Sequence, residues 1–137
     1  MKDCLFCKII DNEIKVAKIY EDKNVLAFLD IRPATRQGGH TLMIPKKHYK
    51  LITDLPDNLL KEISLVIKKI SKALLKFGQG LNIILNNKIY AGQVIPHVHF
   101  HLIPRFNKDG GRMEKWKVNK YKKGEIEKIA SKIKSLL

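Results

Sequence analysis

Three histidines at alternate positions are the feature of this chain best suited to chemistry. The stretch PHVHFHLIPR contains His97, His99 and His101, and the whole chain has only five histidines. Successive side chains of a β-strand point to opposite faces, so this spacing predicts a strand with the imidazoles on one face. The other face would be apolar and would consist of Val98, Phe100 and Leu102. Imidazoles bind metals and act as acid–base groups or nucleophiles, so the first face predicts a metal site or a row of reactive groups.

The two cysteines, Cys4 and Cys7, form a C-x-x-C pair. A redox pair would be expected after a strand and at a helix start, and only three residues precede Cys4. A disulfide is not expected in a cytosolic protein. Two thiolates could instead be half of a tetrahedral zinc site that two imidazoles complete. We favour the zinc half-site, with inert thiols and a redox pair as the alternatives.

Two further zinc ligands would have to come from the five histidines. The outer two histidines of the predicted strand would lie about 13 Å apart, too far to converge on one ion. We therefore expect one end of the strand to serve the metal and the other two histidines to serve the chemistry. The closed structural site that we favour consists of Cys4, Cys7, His48 and His97.

Length and composition predict one domain, residues 1–137, that is large enough to bury a core. No run of 18 apolar residues is present, and the segment MKDCLFCKII lacks the apolar region of a signal peptide. We therefore expect a soluble, cytoplasmic protein without a membrane partner. The formal net charge of +14 favours anionic partners such as nucleotides or nucleic acid, or it reflects a lysine-rich solvated surface.

Hydrophobic periodicity predicts an α+β domain. The segment around Ile19 and Tyr20 and the segment Val25–Leu29 predict a hairpin, and apolar residues at helical spacing predict a helix over Leu59–Phe77 that is capped by Gly78. Further strands are predicted at His40–Ile44 and Leu81–Leu85, and a C-terminal helix at about residues 125–136. We therefore expect an antiparallel sheet with one long helix and the C-terminal helix packed on it.

The stretch His97-Val-His99-Phe-His101-Leu-Ile resembles the signature His-φ-His-φ-His-φ-φ, with φ apolar, of the histidine triad (HIT) family. The resemblance extends to CLFCKIIDNEI, VLAFLDIRP, GGHTLMIPKKH and GQVIPHVHFHLIPR, and so covers most of the chain. The C-x-x-C pair is similar to that of the zinc-binding branch of the family. In that branch the first triad histidine and the histidine of the PKKH stretch complete the zinc site, which implies the same four ligands.

The resemblance implies a HIT-like fold, a homodimer and a purine nucleotide substrate. Similar proteins hydrolyse or transfer nucleoside monophosphates, from phosphoramidates or dinucleoside polyphosphates, through a nucleotidyl-histidine intermediate. The resemblance implies that His99 is the nucleophile and that His101 holds the phosphate and assists the leaving group. It also implies that His40 supports the nucleophile or the bound phosphate. Structural Zn²⁺ is then the expected cofactor, and no catalytic metal is expected because imidazoles and backbone N–H groups can supply the positive field.

The loop from Asn86 to Pro96 is expected to cradle the phosphate. Gly92 would allow close approach of the backbone, and the side chains of Asn86 and Gln93 would offer amide donors. The alternative is that Asn86, like Asn87 beside it, is only a turn former. Many relatives carry a hydroxyl residue where this chain has Val94, so any hydrogen bond from that side chain is absent.

The remainder of the nucleotide pocket is expected at the N-terminus and at the end of the hairpin. Asp30 would accept hydrogen bonds from the ribose hydroxyls, as the matching residue does in the family, or it is an ordinary turn former. The slot for the base would be lined by Phe6, Ile9, Phe28 and Ile31, unless these residues are plain core.

Two alternative functions remain open. The charge of +14 and the segment GGRMEKWKVNKYKK, in which Trp116 and Tyr121 interrupt basic residues, would suit an enzyme that removes adenylate from nucleic-acid 5′ ends. We do not favour nucleic acid as the partner, because no additional nucleic-acid domain is recognisable. The second alternative is a zinc-stabilised module that binds nucleotides without turning them over.

Overall fold

The computed structural model describes residues 3–110 and 118–137, and within them the chain forms one five-stranded antiparallel sheet with helices. The strands are β1 (Lys18–Glu21), β2 (Val25–Leu29), β3 (Thr41–Pro45), β4 (Gly80–Leu85) and β5 (Phe100–Arg105). Their order across the sheet is β1-β2-β3-β5-β4. The helices are α1 (Leu5–Ile10), α2 (Asp57–Phe77) and α3 (Glu125–Lys134), with 3₁₀ turns at Ile52–Asp54 and Ile89–Ala91. The predicted α+β class is confirmed.

The β1–β2 hairpin forms where the sequence predicts it. Its turn is closed by the Asp22 carboxylate, which accepts hydrogen bonds of 2.8 Å from the backbone N–H groups of Asn24 and Val25. Short polar side chains that bond the backbone two or three residues on are typical turn formers.

Both faces of the central strands are buried. Val25 and Ala27 of β2 belong to the core under α2, whereas Leu26 and Phe28 belong to the core under α1. The alternation within β2 explains why every residue of this strand is apolar: helices cover the sheet on both sides. His97 and His99 lie on the face that α1 covers, where the ring of Phe6 packs against both imidazoles.

The long helix α2 packs through one stripe of residues at three- and four-residue spacing, Ile63, Val66, Ile70 and Leu74. The predicted helix is confirmed over Asp57–Phe77, and Gly78 caps it by donating its backbone N–H to the carbonyl of Leu74. A Cβ at Gly78 would lie only 2.9 Å from Cβ of Pro104, so the close approach of β5 favours glycine there. None of the helices within residues 3–110 and 118–137 combines the length and the apolar character needed to cross a bilayer.

The predicted histidine strand is shorter than expected. β5 begins at Phe100, so His97 and His99 lie before the strand and only His101 lies within it. The first cross-strand partners of β5 are Met43 on β3 and Leu85 on β4, both opposite Phe100. His97 lies in a bend, and its backbone N–H donates to the carbonyl of Ile95 at 2.8 Å.

The predicted division of faces nevertheless holds through this segment. Val98, Phe100 and Leu102 are buried in the core under α2. Beyond the paired region the backbone N–H of Val98 donates to the carbonyl of Tyr49 at 2.7 Å. This bond joins Val98 to the segment around Tyr49, where no described strand of the sheet pairs with it.

The C-terminal helix α3 forms but leaves its apolar face exposed. Ile126, Ile129 and Ile133 are 52%, 37% and 54% exposed, and no residue of α3 is buried. The structure therefore departs from the expectation that this helix packs on the sheet. The physical reason is that α2 and α1 already cover the two faces of the sheet.

Candidate functional site

Two cysteines and two histidines from distant parts of the chain converge beside α1. The potential ligand atoms of Cys4, Cys7, His48 and His97 all lie within 4.8 Å of one another. The distance from Cys4 Sγ to His97 Nδ1 is 3.5 Å, and the distance from Cys7 Sγ to His48 Nδ1 is 3.4 Å. The structure thus brings together the four predicted ligands in a group that could hold a metal ion, which we call the Cys2His2 cluster.

The proton positions in this cluster suit a cation. His97 donates from Nε2 to the carbonyl of Pro45 at 2.8 Å, so the lone pair of Nδ1 faces the thiols. Burial lowers the pKa of His97 to about 4, which keeps the ring neutral. Burial and the neighbouring Cys4 raise the pKa of the Cys7 thiol to about 11, so a bound cation would have to displace thiol protons.

His99 is held as a neutral imidazole with one free lone pair. Its Nδ1–H donates to the carbonyl of His97 at 2.7 Å, which leaves the lone pair on Nε2. Burial lowers its pKa although the His97 carbonyl and Asp30 oppose the shift. The Phe6 ring packs edge-on against it with centroids 5.1 Å apart. A neutral ring with a fixed tautomer is the form that attacks an electrophile.

The imidazoles of His40 and His101 are hydrogen-bonded to each other, and this bond fixes the tautomer of His101. The backbone N–H of Ala34 donates to Nδ1 of His40 at 3.1 Å, so the proton of neutral His40 is on Nε2. That proton bridges to Nδ1 of His101 at 2.9 Å. The proton of neutral His101 is therefore on Nε2. Burial, followed by repulsion from His99 and His40, lowers the pKa of His101 to about 4.

Asp30, His40 and His101 also lie close enough to share a metal ion, with ligand atoms within 4.8 Å of one another. The tautomer of His40 argues against metal binding by these three residues. The Ala34 N–H requires the lone pair of His40 at Nδ1, so its Nε2 carries a proton instead of facing a metal. This group is better suited to holding protons in place.

A cavity of about 520 Å³ opens beside these histidines. Of the predicted residues, its walls contain Phe6, Ile9, Phe28, Asp30, Ile31, Gly92, His99 and His101. Several further lining residues could not be recognised from the sequence, because they resemble ordinary core or loop positions. These are Leu5, Lys15, Val16, Arg32, Leu42 and Ile95.

The two interpretations offered for Asp30 are compatible. Its Oδ1 accepts a 2.8 Å hydrogen bond from the backbone N–H of Arg32, which is a turn-forming contact. Its carboxylate also lines the cavity, with Oδ2 at 3.9 Å from Nε2 of His40. The turn fixes the carboxylate at the cavity wall.

The base-slot residues likewise serve two purposes. Phe6, Ile9 and Phe28 are buried in the core under α1 and also form cavity wall. Ile31, in contrast, is almost fully exposed at the cavity mouth.

Of the residues predicted to contact the phosphate from the loop, Gly92 lines the cavity and Asn86 lies near it. Gly92 lines the cavity and has φ of +88°, a backbone conformation that favours glycine. The Asn86 amide nitrogen lies 3.5 Å from where a Cβ of Gly92 would be. Asn86 is not a cavity-wall residue, and its side chain has no hydrogen bond within the described part of the chain.

Gln93 differs from its prediction as a phosphate donor. Its side chain is buried, its Oε1 accepts from the backbone N–H of Lys88 at 2.7 Å, and its Nε2 donates to the carbonyl of Lys50 at 2.7 Å. Both ends of the amide are engaged within the protein. The side chain thus ties two backbone segments together.

Three other residues named in the sequence analysis are Val94, Trp116 and Tyr121. Val94 lines the cavity, so the missing hydroxyl falls at the site itself. Trp116 lies outside the described residues, and Tyr121 is exposed.

Comparison with known proteins agrees with this architecture. Residues 11–108 match the model of the HIT domain family. The chain is 46% identical over 132 residues to an uncharacterized HIT-like protein of Methanocaldococcus jannaschii, covering 96% of this chain and 98% of that protein. It is 38% identical over 135 residues to a protein of Schizosaccharomyces pombe named adenosine 5′-monophosphoramidase, covering 96% and 98% of the two chains.

A solved structure gives the same result for the fold. The crystal structure of a HIT family member from Bacillus subtilis superposes with a TM-score of 0.89 at 41% identity, covering 98% of this chain and 97% of that one. The chain therefore belongs to the HIT family.

Proposed function

We propose that this protein is a nucleotidyl hydrolase or transferase that cleaves purine nucleoside phosphoramidates or dinucleoside polyphosphates through a covalent intermediate on His99. The observation that carries the proposal is the pair of ring nitrogens at one cavity. His99 offers a lone pair on Nε2, and neighbouring His101 carries a proton on its own Nε2. The name of the Schizosaccharomyces pombe relative supports a phosphoramidase as the reaction type.

The first half-reaction uses both histidines. His99 Nε2 attacks phosphorus while the bond from phosphorus to the leaving nitrogen or oxygen breaks, and the leaving atom takes up its proton from solvent. The Nε2–H of neutral His101 stays on the ring and donates a hydrogen bond to the phosphate or to the leaving atom. The bonded His99 ring becomes cationic, and the carbonyl of His97 that accepts its Nδ1–H stabilises that charge.

The second half-reaction restores the site. Water, or another acceptor, attacks phosphorus and releases its proton to solvent. The bond from phosphorus to His99 breaks, and the nucleoside monophosphate leaves. His40 keeps Nδ1 of His101 hydrogen-bonded throughout, so the Nε2–H of His101 remains the donor to the phosphate.

A single-turnover incubation with adenosine 5′-phosphoramidate tests the proposal. We expect AMP release together with an acid-labile adenylyl-protein adduct. If AMP binds without release, the same assay with 5′-adenylated DNA or RNA tests the nucleic-acid alternative. Absence of turnover on every donor would leave a nucleotide-binding module and refute the enzymatic function.

Asp30 is proposed to recognise the ribose hydroxyls. Hydrogen bonds to a charged group contribute about 1.5–3 kcal/mol, so we expect a ribonucleotide phosphoramidate to exceed its 2′,3′-dideoxy analogue about 10- to 100-fold in kcat/KM. Asp30→Asn should lose most of this preference, as steady-state kinetics on the two substrates would show.

A matched control exists for this substitution. Asp22 makes the same kind of turn, accepting from the N–H of Asn24, and is not a cavity residue. Asp22→Asn should keep the full ribose preference. An unchanged preference in Asp30→Asn would remove Asp30 from ribose recognition.

Zn²⁺ is proposed as the structural ion of the Cys2His2 cluster. Tetrahedral bonds of about 2.3 Å to sulfur and 2.0–2.1 Å to nitrogen place a sulfur and a nitrogen ligand about 3.5 Å apart. The two closest sulfur–nitrogen pairs of the cluster are separated by 3.5 and 3.4 Å. When bound, zinc would tie α1 to the sheet. Thiolate ligands must stay reduced, which supports a cytoplasmic location.

We further propose a homodimer that uses the edge strand β4 and the outer face of α2. β4 ends the sheet, and large apolar side chains are exposed there and on the helix, namely Ile83, Leu65 and Leu75. Sedimentation equilibrium should give twice the chain mass. Ile83→Asp should give the mass of one chain, because a charge on an edge strand opposes pairing; a dimer that survives it would exclude the β4 edge.

A further inference from the structure

One short segment connects the Cys2His2 cluster, the histidine segment and the phosphate loop. His48 belongs to the Cys2His2 cluster. The Tyr49 carbonyl accepts from Val98, which lies between His97 and His99, and the Lys50 carbonyl accepts from the Gln93 side chain. We call residues 48–52 the bracket segment.

A second side-chain amide joins the same segment to the phosphate loop. The backbone N–H of Ile52 donates to Oδ1 of Asn87 at 3.0 Å. Asn87 and Gln93 stand at the two ends of the stretch that contains Gly92, and each is bonded to the bracket segment. The stretch is therefore anchored on both sides of the glycine that lines the cavity.

The stretch needs such anchors because part of its backbone is unfavourable. Lys88 has φ of +69° and ψ of 161°, a conformation that side-chain-bearing residues rarely adopt. Gln93 opposes relaxation at this residue, since its Oε1 accepts from the Lys88 N–H and its backbone N–H donates to the Lys88 carbonyl at 3.2 Å. Without the Gln93 amide, Lys88 would lose one of the contacts that hold it in this conformation.

We infer that Gln93 and Asn87 are positioning residues that fix the phosphate loop to the bracket segment. Because the bracket segment also holds Val98, these bonds set the position of the loop relative to the nucleophile, His99. The inference rests on the proposed function, and it assigns Gln93 a role other than direct phosphate contact. The bracket segment fixes Val98, beside His99, through Tyr49 and fixes the Gly92 stretch through Lys50 and Ile52. A displacement of about 1 Å between reacting groups costs up to about 10²-fold in rate.

Gln93→Met tests the inference, because methionine has a similar length and makes neither hydrogen bond. We expect kcat on adenosine 5′-phosphoramidate to fall about 10- to 100-fold at a temperature where the variant is fully folded. Hydrogen exchange should become faster at the amides of residues 86–93. A purely structural role would instead lower Tm and leave kcat of the folded variant unchanged.

A matched control and a second variant keep the test decisive. Gln79 also accepts a backbone N–H bond with its side chain, from Asn107 at 2.7 Å, but it lies outside the site. Gln79→Met should keep kcat within about twofold. If Gln93→Met does not fold, Asn87→Ala is used, for which the same loss of kcat and the same faster exchange are expected.

The outcomes separate this inference from the proposed function. A folded Gln93→Met or Asn87→Ala protein with unchanged kcat overturns the inference while the proposed function stands. If the unsubstituted protein releases no AMP, the proposed function fails. The exchange measurement then decides alone whether the bracket segment holds the loop, and unchanged exchange in both variants refutes it.

Discussion

His99→Ala is expected to abolish AMP release from adenosine 5′-phosphoramidate, by roughly 10⁴-fold or more, because no other lone pair replaces Nε2 as the attacking atom. Binding of AMP should change only a few-fold, since the base slot and Asp30 remain in place. Single-turnover kinetics and equilibrium binding measure the two effects separately. The acid-labile adenylyl-protein adduct should be present in the unsubstituted protein and absent from the variant.

Chemical rescue sharpens this test. In His99→Gly, imidazole added to the buffer can occupy the space of the missing ring and attack phosphorus in its place. AMP release should then rise with imidazole concentration, without an adenylyl-protein adduct. Turnover by His99→Ala near the unsubstituted rate would show that another group is the nucleophile.

Removal of the metal is expected to have the largest effect on stability. Protein prepared without chelator should contain one zinc ion per chain, and Cys4→Ser should lose it. Because structural zinc contributes several kcal/mol or more to folding, Tm should fall by about 10 °C or more. Elemental analysis and thermal unfolding followed by circular dichroism would measure both quantities.

Chelation provides the internal control for that substitution. A strong chelator should lower Tm of the unsubstituted protein to nearly that of Cys4→Ser, and should have no further effect on the variant. Absence of zinc, or a Tm that chelation leaves unchanged, would contradict the structural metal site.

The parts of the fold that follow local patterns could be predicted from the sequence. The stripe of α2 repeats over about three turns, from Ile63 to Leu74, and the apolar hairpin strand is bounded by a turn former, Asp22. The short helix α1 was missed because six residues give no periodicity. The start of β5 was misplaced because alternation continues through His97 and His99, whereas strand pairing depends on Met43 and Leu85, which lie far away in the sequence.

The residue types of the site could be predicted from the sequence, but the tautomers of its histidines could not. Spacing alone indicated that the triad histidines divide into metal-binding and reactive groups, and the structure brings the Cys2His2 cluster together. The tautomers of His99 and His40 depend on the His97 carbonyl and the Ala34 N–H, which are backbone groups that carry no residue signature. Gln93 was predicted to contact the phosphate because its position in the loop suggested it. Its actual partner, the carbonyl of Lys50, lies 43 residues away in the sequence and could not be recognised from the local pattern.

The hydrogen bond from His99 to the carbonyl of His97 has an evolutionary consequence. The tautomer of the reactive ring is fixed by a backbone group only two residues away, which no side-chain replacement can remove. The Cys2His2 cluster, in contrast, consists of four separate side chains that can be lost one at a time. A descendant of this protein could therefore replace the cluster with apolar packing and keep the same lone pair on His99 Nε2.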